Sequence, residues 1–192
     1  MRQNQKGRIL EVSAQVFEEK GYDKASIKDI ADRLGMSKPN LYHYFKGKNQ
    51  ILYIIIKTQI EPAIERLEKI MEKPIPPQEK MREAILAHFQ AYKDNFPEML
   101  VIFHEKIGSL QPRYYREIKK KYKNYTSLWL KIIREGVSKG IFRDDLDDKI
   151  LVWAVLGMCN WVYKWGSING RLSFGQIART FHQLFLEGVL VQ

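Results

Sequence analysis

Polar and cationic side chains crowd the segment Ser37-Lys38-Pro39-Asn40-Leu41-Tyr42-His43-Tyr44-Phe45, where the aliphatic and purely apolar positions Leu41 and Phe45 stand four apart. On a helix those two share a face, which leaves Lys38, Asn40, Tyr42 and His43 pointing away from it. The exposed set suits recognition of a polyanion. Lys38 can donate to guanine O6 or N7, Asn40 can bond a base edge or a phosphate, and Pro39 can lie against a thymine methyl. Tyr42, Tyr44 and the imidazole N–H of His43 can donate to phosphate oxygens. The hydroxyls of Ser26 and Ser37 can do the same at helix N-termini, where the backbone dipole also favours an anion. Lys48 opens the next helix beside the same phosphate backbone.

Local signals place these residues on short helices. Ile9, Leu10, Ser13, Val16 and Phe17 line one face of a first helix, which Gly21 ends. Ser26, with Asp29 three residues on, starts a second whose apolar face is Ile27, Ile30, Ala31 and Leu34 and whose stop is Gly35. Ser37 opens a third, very short helix anchored by Leu41 and Phe45, with Pro39 in the first turn where its missing N–H removes no bond. Two helices joined by a tight turn containing Gly form a helix-turn-helix, whose second helix enters the DNA major groove. The same spacing also suits an ordinary pair of surface helices with core aromatics.

The wording of the segment is more specific than its spacing. "GYDKASIKDIADRLGMSKPNLYHYFKGKNQIL" resembles the N-terminal DNA-binding domain of the TetR family of repressors, and the likeness runs from Arg8 to Leu52. The resemblance implies that Ser26, Ser37, Lys38, Asn40, Tyr42, His43, Tyr44 and Lys48 occupy DNA-facing positions. Gly47 departs from the family pattern, which more often has Asn or Ser there, and a looser turn is expected.

Beyond Lys48 the periodicity remains helical. A long fourth helix is expected from Lys48 to about Glu72, ended by the Pro-rich "KPIPPQ". Further helices are expected over Gln78–Asp94, Pro97–Ile107, Pro112–Lys139, Asp147–Trp165 and Ser173–Leu190, the last opened by a Ser173-x-x-Gln176 capping box. The expected architecture is all-α with about nine helices, divided into a helix-turn-helix domain over 1–47 and a helical ligand-binding and dimerisation domain over 48–192. Apolar residues cover more than one face of each of the last two helices, which asks for more than one buried surface and suits a homodimer. The family resemblance implies the same: those helices pair with a partner's in a four-helix bundle.

A narrower likeness, over about Asp94 to Val189, rests on "SLQP", "REGVSKGIF" and the "NWVYKWGSINGRLS" segment. It resembles the C-terminal domain of TetR-type repressors of fatty-acid, steroid and phenylacetate catabolism, several of which release DNA on binding an acyl-CoA. An acyl-CoA needs an apolar tunnel and cations at its mouth. Phe96, Ile102, Phe103, Ile107, Trp129, Met158, Trp161 and Trp165 are the candidate lining. Arg113, Arg116 and Lys120–Lys123 are candidates for the phosphates, with Tyr114 or Tyr115 stacking on adenine. Core packing and a solvated basic face are the ordinary roles of such residues.

Composition agrees with a polyanion binder. Lys and Arg outnumber Asp and Glu by 32 to 22, for a net charge of +10. The excess has two centres: the first fifty residues hold ten cations against six acids, and Gln111–Arg134 holds eight against one. The one cysteine, Cys159, excludes an internal disulfide and a Cys-cluster metal site, and suits a reducing compartment. The N-terminus lacks a signal-peptide apolar run, and Ile150–Trp161 is too short to span a bilayer, so a cytoplasmic location with no membrane partner is expected. His43, His88, His104 and His182 form no metal-binding pair, and no phosphate-binding loop is present, so neither an enzyme, a metal nor a cofactor is expected. The expected partners are a near-palindromic double-stranded DNA operator and a small-molecule inducer that releases it. Alternatives are a repressor that senses varied hydrophobic drugs and a ligand-free, non-specific DNA binder.

Overall fold

The computed structural model describes residues 2–94, 107–166 and 170–191. Among them are eight α-helices: α1 (Arg2–Lys20), α2 (Ile27–Leu34), α3 (Lys38–Tyr42), α4 (Lys48–Met71), α5 (Pro77–Asp94), α6 (Pro112–Ser138), α7 (Asp148–Trp161) and α8 (Phe174–Val189). Short 3-10 turns cover Ile107–Ser109 and Val162–Lys164. The helix expected over 97–107 falls largely outside the described residues. The helix expected to run to Trp165 stops at Trp161 and tightens into the second 3-10 turn, closed by a Trp165 N–H to Val162 O bond.

Caps set most boundaries. The Ser26 hydroxyl accepts from the Asp29 N–H while the Asp29 carboxylate accepts from the Ser26 N–H, a reciprocal box that also recurs at Ser173 and Gln176. Gly35 closes α2 at φ +63°, where its N–H reaches the carbonyls of Ala31 and Asp32. That left-handed turn is open to glycine at little cost. Asp147 starts α7 by accepting from the N–H groups of Lys149 and Ile150.

The chain packs as two compact units. The first holds the chain up to Gln59 together with the segment ending at Lys120; the second holds Ile60–Asp94 and everything from Lys121 on. Helices α4 and α6 therefore contribute residues to each unit. The division expected at residues 47 and 48 follows the recognition motif, whereas packing carries the first unit through the first three turns of α4, because Ile51, Leu52, Ile55 and Ile56 are all within 1% of full burial. Their companions in that core are Ile9, Val16, Phe17, Ile30, Ala31, Leu41 and Phe45. Ion pairs Arg33–Glu19 and Lys20–Asp29 hold α1 to α2 outside it.

In the second unit α5 packs on α8, and both meet α7. The core is built from Met81, Ile85, Phe89, Leu128, Trp129, Ile132, Val155, Leu156, Cys159, Ile177 and Phe185. A buried Lys80 ammonium donates to Met71 O and to the Glu135 carboxylate at 2.9 Å, which caps the end of α4. The tail after α8 returns to the α6–α7 connection through Arg143 N–H to Val189 O and Val191 N–H to Ile141 O.

Candidate nucleic-acid interface

Helix α3 presents its polar residues and hides its apolar ones. Leu41 is fully buried and Phe45 nearly so, while Ser37, Lys38, Pro39, Asn40, Tyr42 and His43 are exposed and Tyr44 is half-buried. Ser37 caps the helix by accepting from the Asn40 N–H, and Pro39 lies in the first turn, as its fixed φ favours. Tyr42 is 53% exposed, a large aromatic held outward by the burial of its neighbour Leu41. This is an outward-facing surface of donors and one cation on a rigid three-helix support.

Two of the residues named for phosphate contact have intramolecular work. The Ser26 hydroxyl donates to the Asp29 carboxylate at 2.6 Å, so its proton already has an acceptor. That carboxylate also bonds Lys20, whose ammonium leads the causes that hold the Asp29 carboxyl well below the usual range. The Lys48 ammonium donates to three carbonyls of the α1–α2 corner, Tyr22 at 2.8 Å, Asp23 at 3.1 Å and Ala25 at 3.0 Å, and lies 4.5 Å from the Tyr22 ring centre. A lysine has three donors, and here each has a carbonyl acceptor. Its first role is to hold the corner that carries α2, and a phosphate must compete with those carbonyls for it.

Gly47 sits at φ +151°, a conformation side chains rarely adopt, and Gln50 reaches back to accept from the Lys46 N–H at 2.6 Å. The departure from the family pattern is thus a backbone requirement.

The residues named for ligand binding fall in both units, and some lie outside the described residues. Phe96, Ile102 and Phe103 lie outside the described residues, as does the Ile107 side chain. Arg113 and Arg116 are exposed on α6 within the first unit, with Arg113 4.9 Å from the Tyr114 ring centre. Trp129 is fully buried in the second unit and Met158 is half-buried there. Trp161 and Trp165 are 60% and 52% exposed. For Trp161 the reason is helical phase. Val152, Val155, Leu156 and Cys159 take the inward face of α7, and Ile150, Trp153, Gly157 and Trp161 fall on the opposite one.

Sequence reasoning passed over the polar pair inside the second unit. His88 Nδ1 and the Tyr125 hydroxyl are 2.9 Å apart, with Trp129 edge-on to both rings. Burial pushes His88 down to about 4 and keeps the Tyr125 phenol protonated far above neutral pH. Cys159 lies in the same core, and burial lifts its thiol to about 12, so it is an inert packing residue. No group of side chains suited to a metal ion occurs among the described residues, and none of their helices is long and apolar enough to cross a membrane.

Comparison with known proteins agrees with this arrangement. The profile for the N-terminal domain of bacterial regulatory proteins of the tetR family matches residues 9–53, and that for the tetracyclin repressor-like C-terminal domain matches 74–189. The HTH-type transcriptional repressor KstR2 of Mycolicibacterium smegmatis is 26% identical over 94% of this chain and 88% of its own. The crystal structure of the TetR family regulator PfmR from Thermus thermophilus is 34% identical, with a TM-score of 0.87 over 94% of this chain and 97% of that one. AibR, solved in complex with isovaleryl coenzyme A and operator DNA, is 26% identical, with a TM-score of 0.82 over 93% and 96%. An all-α chain whose short, capped helix-turn-helix faces outward, and whose N-terminal and C-terminal parts match the two parts of one family of DNA-binding regulators, is itself a transcriptional regulator of the TetR family and not an enzyme.

Proposed function

We propose that the protein is a cytoplasmic repressor that binds a near-palindromic operator as a homodimer and is released by an acyl-CoA. The observation that carries the DNA-reading part is the outward display of Lys38, Pro39, Asn40, Tyr42 and His43 over a buried Leu41. A single short reader of this kind gains affinity by binding two half-sites, which requires two copies. The surface of the second unit supplies a reason for them to pair. Ile150, Trp153 and Trp161 on α7 and Leu184 on α8 are each more than half exposed, an apolar display that a lone chain leaves in water.

The inducer reading draws on AibR, whose solved complex holds isovaleryl coenzyme A with operator DNA. In this chain the exposed cations Arg113, Arg116, Lys119, Lys120 and Lys123 suit a phosphate-bearing ligand. Release requires that the ligand favour one arrangement of the dimer, moving the two reading helices out of step with adjacent major grooves. Thermal unfolding against acyl-CoAs, the matching free acids, CoA alone and lipophilic cations tests it. A ligand at one hundred times its Kd adds about 2.7 kcal/mol, a rise of about 5–11 °C for a chain of this size. The expected rise is with an acyl-CoA and not with its free acid; a rise with the cations alone would make this a sensor of hydrophobic drugs.

The contact assignment has its own test. Tyr42→Phe removes one exposed hydroxyl and no packing. Loss of a hydrogen bond to a charged oxygen costs about tenfold per half-site, so a homodimer's operator affinity falls about a hundredfold. Tyr42 brings no charge, so the salt dependence of binding stays as it was. Unchanged affinity in a titration would remove Tyr42 from the interface.

A further inference from the structure

Within the first unit, α4 and the leading turns of α6 lie side by side and run in the same direction, touching at intervals of one turn. Asn49 meets the chain just before α6: its Nδ2 donates to Ser109 O at 2.8 Å, and its Oδ1 accepts from the Gln111 N–H at 2.9 Å. One turn on, Tyr53 stacks on Tyr114 with ring centres 4.2 Å apart and planes 15° from parallel. A further turn on, Lys57 pairs with Glu117 at 3.3 Å. The first of these contacts differs in kind from the others. Stacked rings and a half-exposed ion pair tolerate sliding by a fraction of an ångström, whereas an amide that donates and accepts at once against two backbone groups fixes both distance and direction.

Asn49 also faces the DNA reader. The same Nδ2 donates to the Tyr22 hydroxyl at 3.0 Å, and Tyr22 lies in the α1–α2 corner. The preceding residue, Lys48, holds the backbone of that corner through the carbonyls of Tyr22, Asp23 and Ala25. One carboxamide therefore joins three stretches of chain: the corner that carries the helix-turn-helix, the start of α4, and the start of α6.

We propose that Asn49 is a positioning residue for the DNA reader, its carboxamide setting the register between α4 and α6 so that the pose of the helix-turn-helix and the pose of α6 change together. The proposal deepens, and for its regulatory meaning rests on, the reading of the chain as a ligand-released DNA binder: it names the joint through which an event along α6 reaches the reader. Coupling between two sites is reciprocal, so DNA bound at the reader must in turn affect α6. That consequence can be measured with no inducer in hand.

The experiment is amide hydrogen exchange of the full chain with and without a DNA duplex selected from a random-sequence library, or with a mixed-sequence duplex at low salt should none be selected. In the wild type, bound duplex is expected to slow exchange of the Tyr115–Lys120 amides at least fivefold, along with those of α2 and α3. In Asn49→Ala the protection of α2 and α3 remains and that of Tyr115–Lys120 disappears. Asn49→Asp has nearly the same volume, keeps an acceptor for the Gln111 N–H and loses both donations, and it is expected to behave in the same way; it decides the matter if the alanine variant fails to fold. A contact that merely glues two helices together would lower stability and leave the duplex-dependent difference in place. Protection of Tyr115–Lys120 that persists in both folded variants, or is absent from the wild type, overturns the proposal. Acyl-CoAs that leave the unfolding midpoint unmoved overturn the inducer reading instead and leave this result standing.

Discussion

Replacing Lys48 by methionine is expected to lower the unfolding free energy by about 2–3 kcal/mol and to weaken DNA binding. Methionine keeps the length and apolar stem of the side chain and removes the ammonium, so packing is nearly conserved. What is lost is a set of three charge-assisted hydrogen bonds, to Tyr22 O, Asp23 O and Ala25 O, and a cation 4.5 Å from the Tyr22 ring centre. Such a bond is worth about 1.5–3 kcal/mol where water cannot replace it. Lys48 is only half-buried, so water recovers part of the loss and the total stays near the value of one or two bonds. Urea unfolding checks it: a loss below about 0.5 kcal/mol would mean that water serves the corner as well as lysine does. The DNA side of the prediction separates two roles. If the ammonium neutralises a phosphate, the slope of log affinity against log salt becomes shallower by about 0.9 per subunit, about 1.8 for the dimer on its operator. If Lys48 acts only by holding the α1–α2 corner, affinity falls and the slope does not change.

Lys48 illustrates what could be read from the chain and what could not. Its place at the start of a helix beside a basic recognition segment is visible in one dimension. Its acceptors are not, because they lie 23 to 26 residues earlier on a corner whose carbonyls converge only after α1 and α2 have packed. Caps were legible because each is written within four residues: Ser26 with Asp29, Ser37 with Asn40, Ser173 with Gln176. The outward set on α3 was legible for the same reason, since the burial of Leu41 and Phe45 determines where Lys38, Asn40 and Tyr42 must point.

The aromatic residues of the second unit were harder. Trp129 and Trp161 both recur with apolar residues at helical spacing, yet one is fully buried and the other 60% exposed. Composition cannot separate them, because α6 has one apolar face to turn inward whereas α7 is apolar on more than one, and there only the neighbours decide which face turns inward. The contact of Asn49 with Ser109 and Gln111 was out of reach altogether, joining residues 60 and 62 apart through groups that carry no periodic signal. Local rules recover elements and their ends, while the ties between elements depend on where those elements come to rest.

Such a tie underlies the dependence on pH. Between pH 7 and pH 5 the protein is expected to lose about 2 kcal/mol of stability through His88. Burial is the leading cause, and it pushes His88 from 6.5 down to about 4, against a smaller opposing effect of a hydrogen bond with Asn160. In the unfolded chain the imidazole takes up its proton near pH 6.5; in the folded chain it resists until about pH 4. Across that interval the unfolded state binds more protons, so stability falls as the pH is lowered and is complete again above the unfolded value. The neutral ring accounts for the pairing with Tyr125 at 2.9 Å, because an imidazolium at Nδ1 could only donate to a phenol whose own proton then needs another acceptor. Carboxyl groups held low by ion pairs, such as Glu19, Asp29 and Asp148, lose their contribution only as the pH falls below the ordinary carboxyl range, which keeps the interval from 7 to 5 nearly free of them. His182 is also pushed down by burial and adds a contribution of the same sign. Urea unfolding at pH 7, 6 and 5 for the wild type, His88→Gln and His182→Gln separates the two: the slope of stability with pH should flatten most in His88→Gln, whatever that variant's stability at pH 7. An undiminished slope in His88→Gln would mean that the imidazole is hydrated in the folded protein, and that the interior of the second unit admits water beside Tyr125.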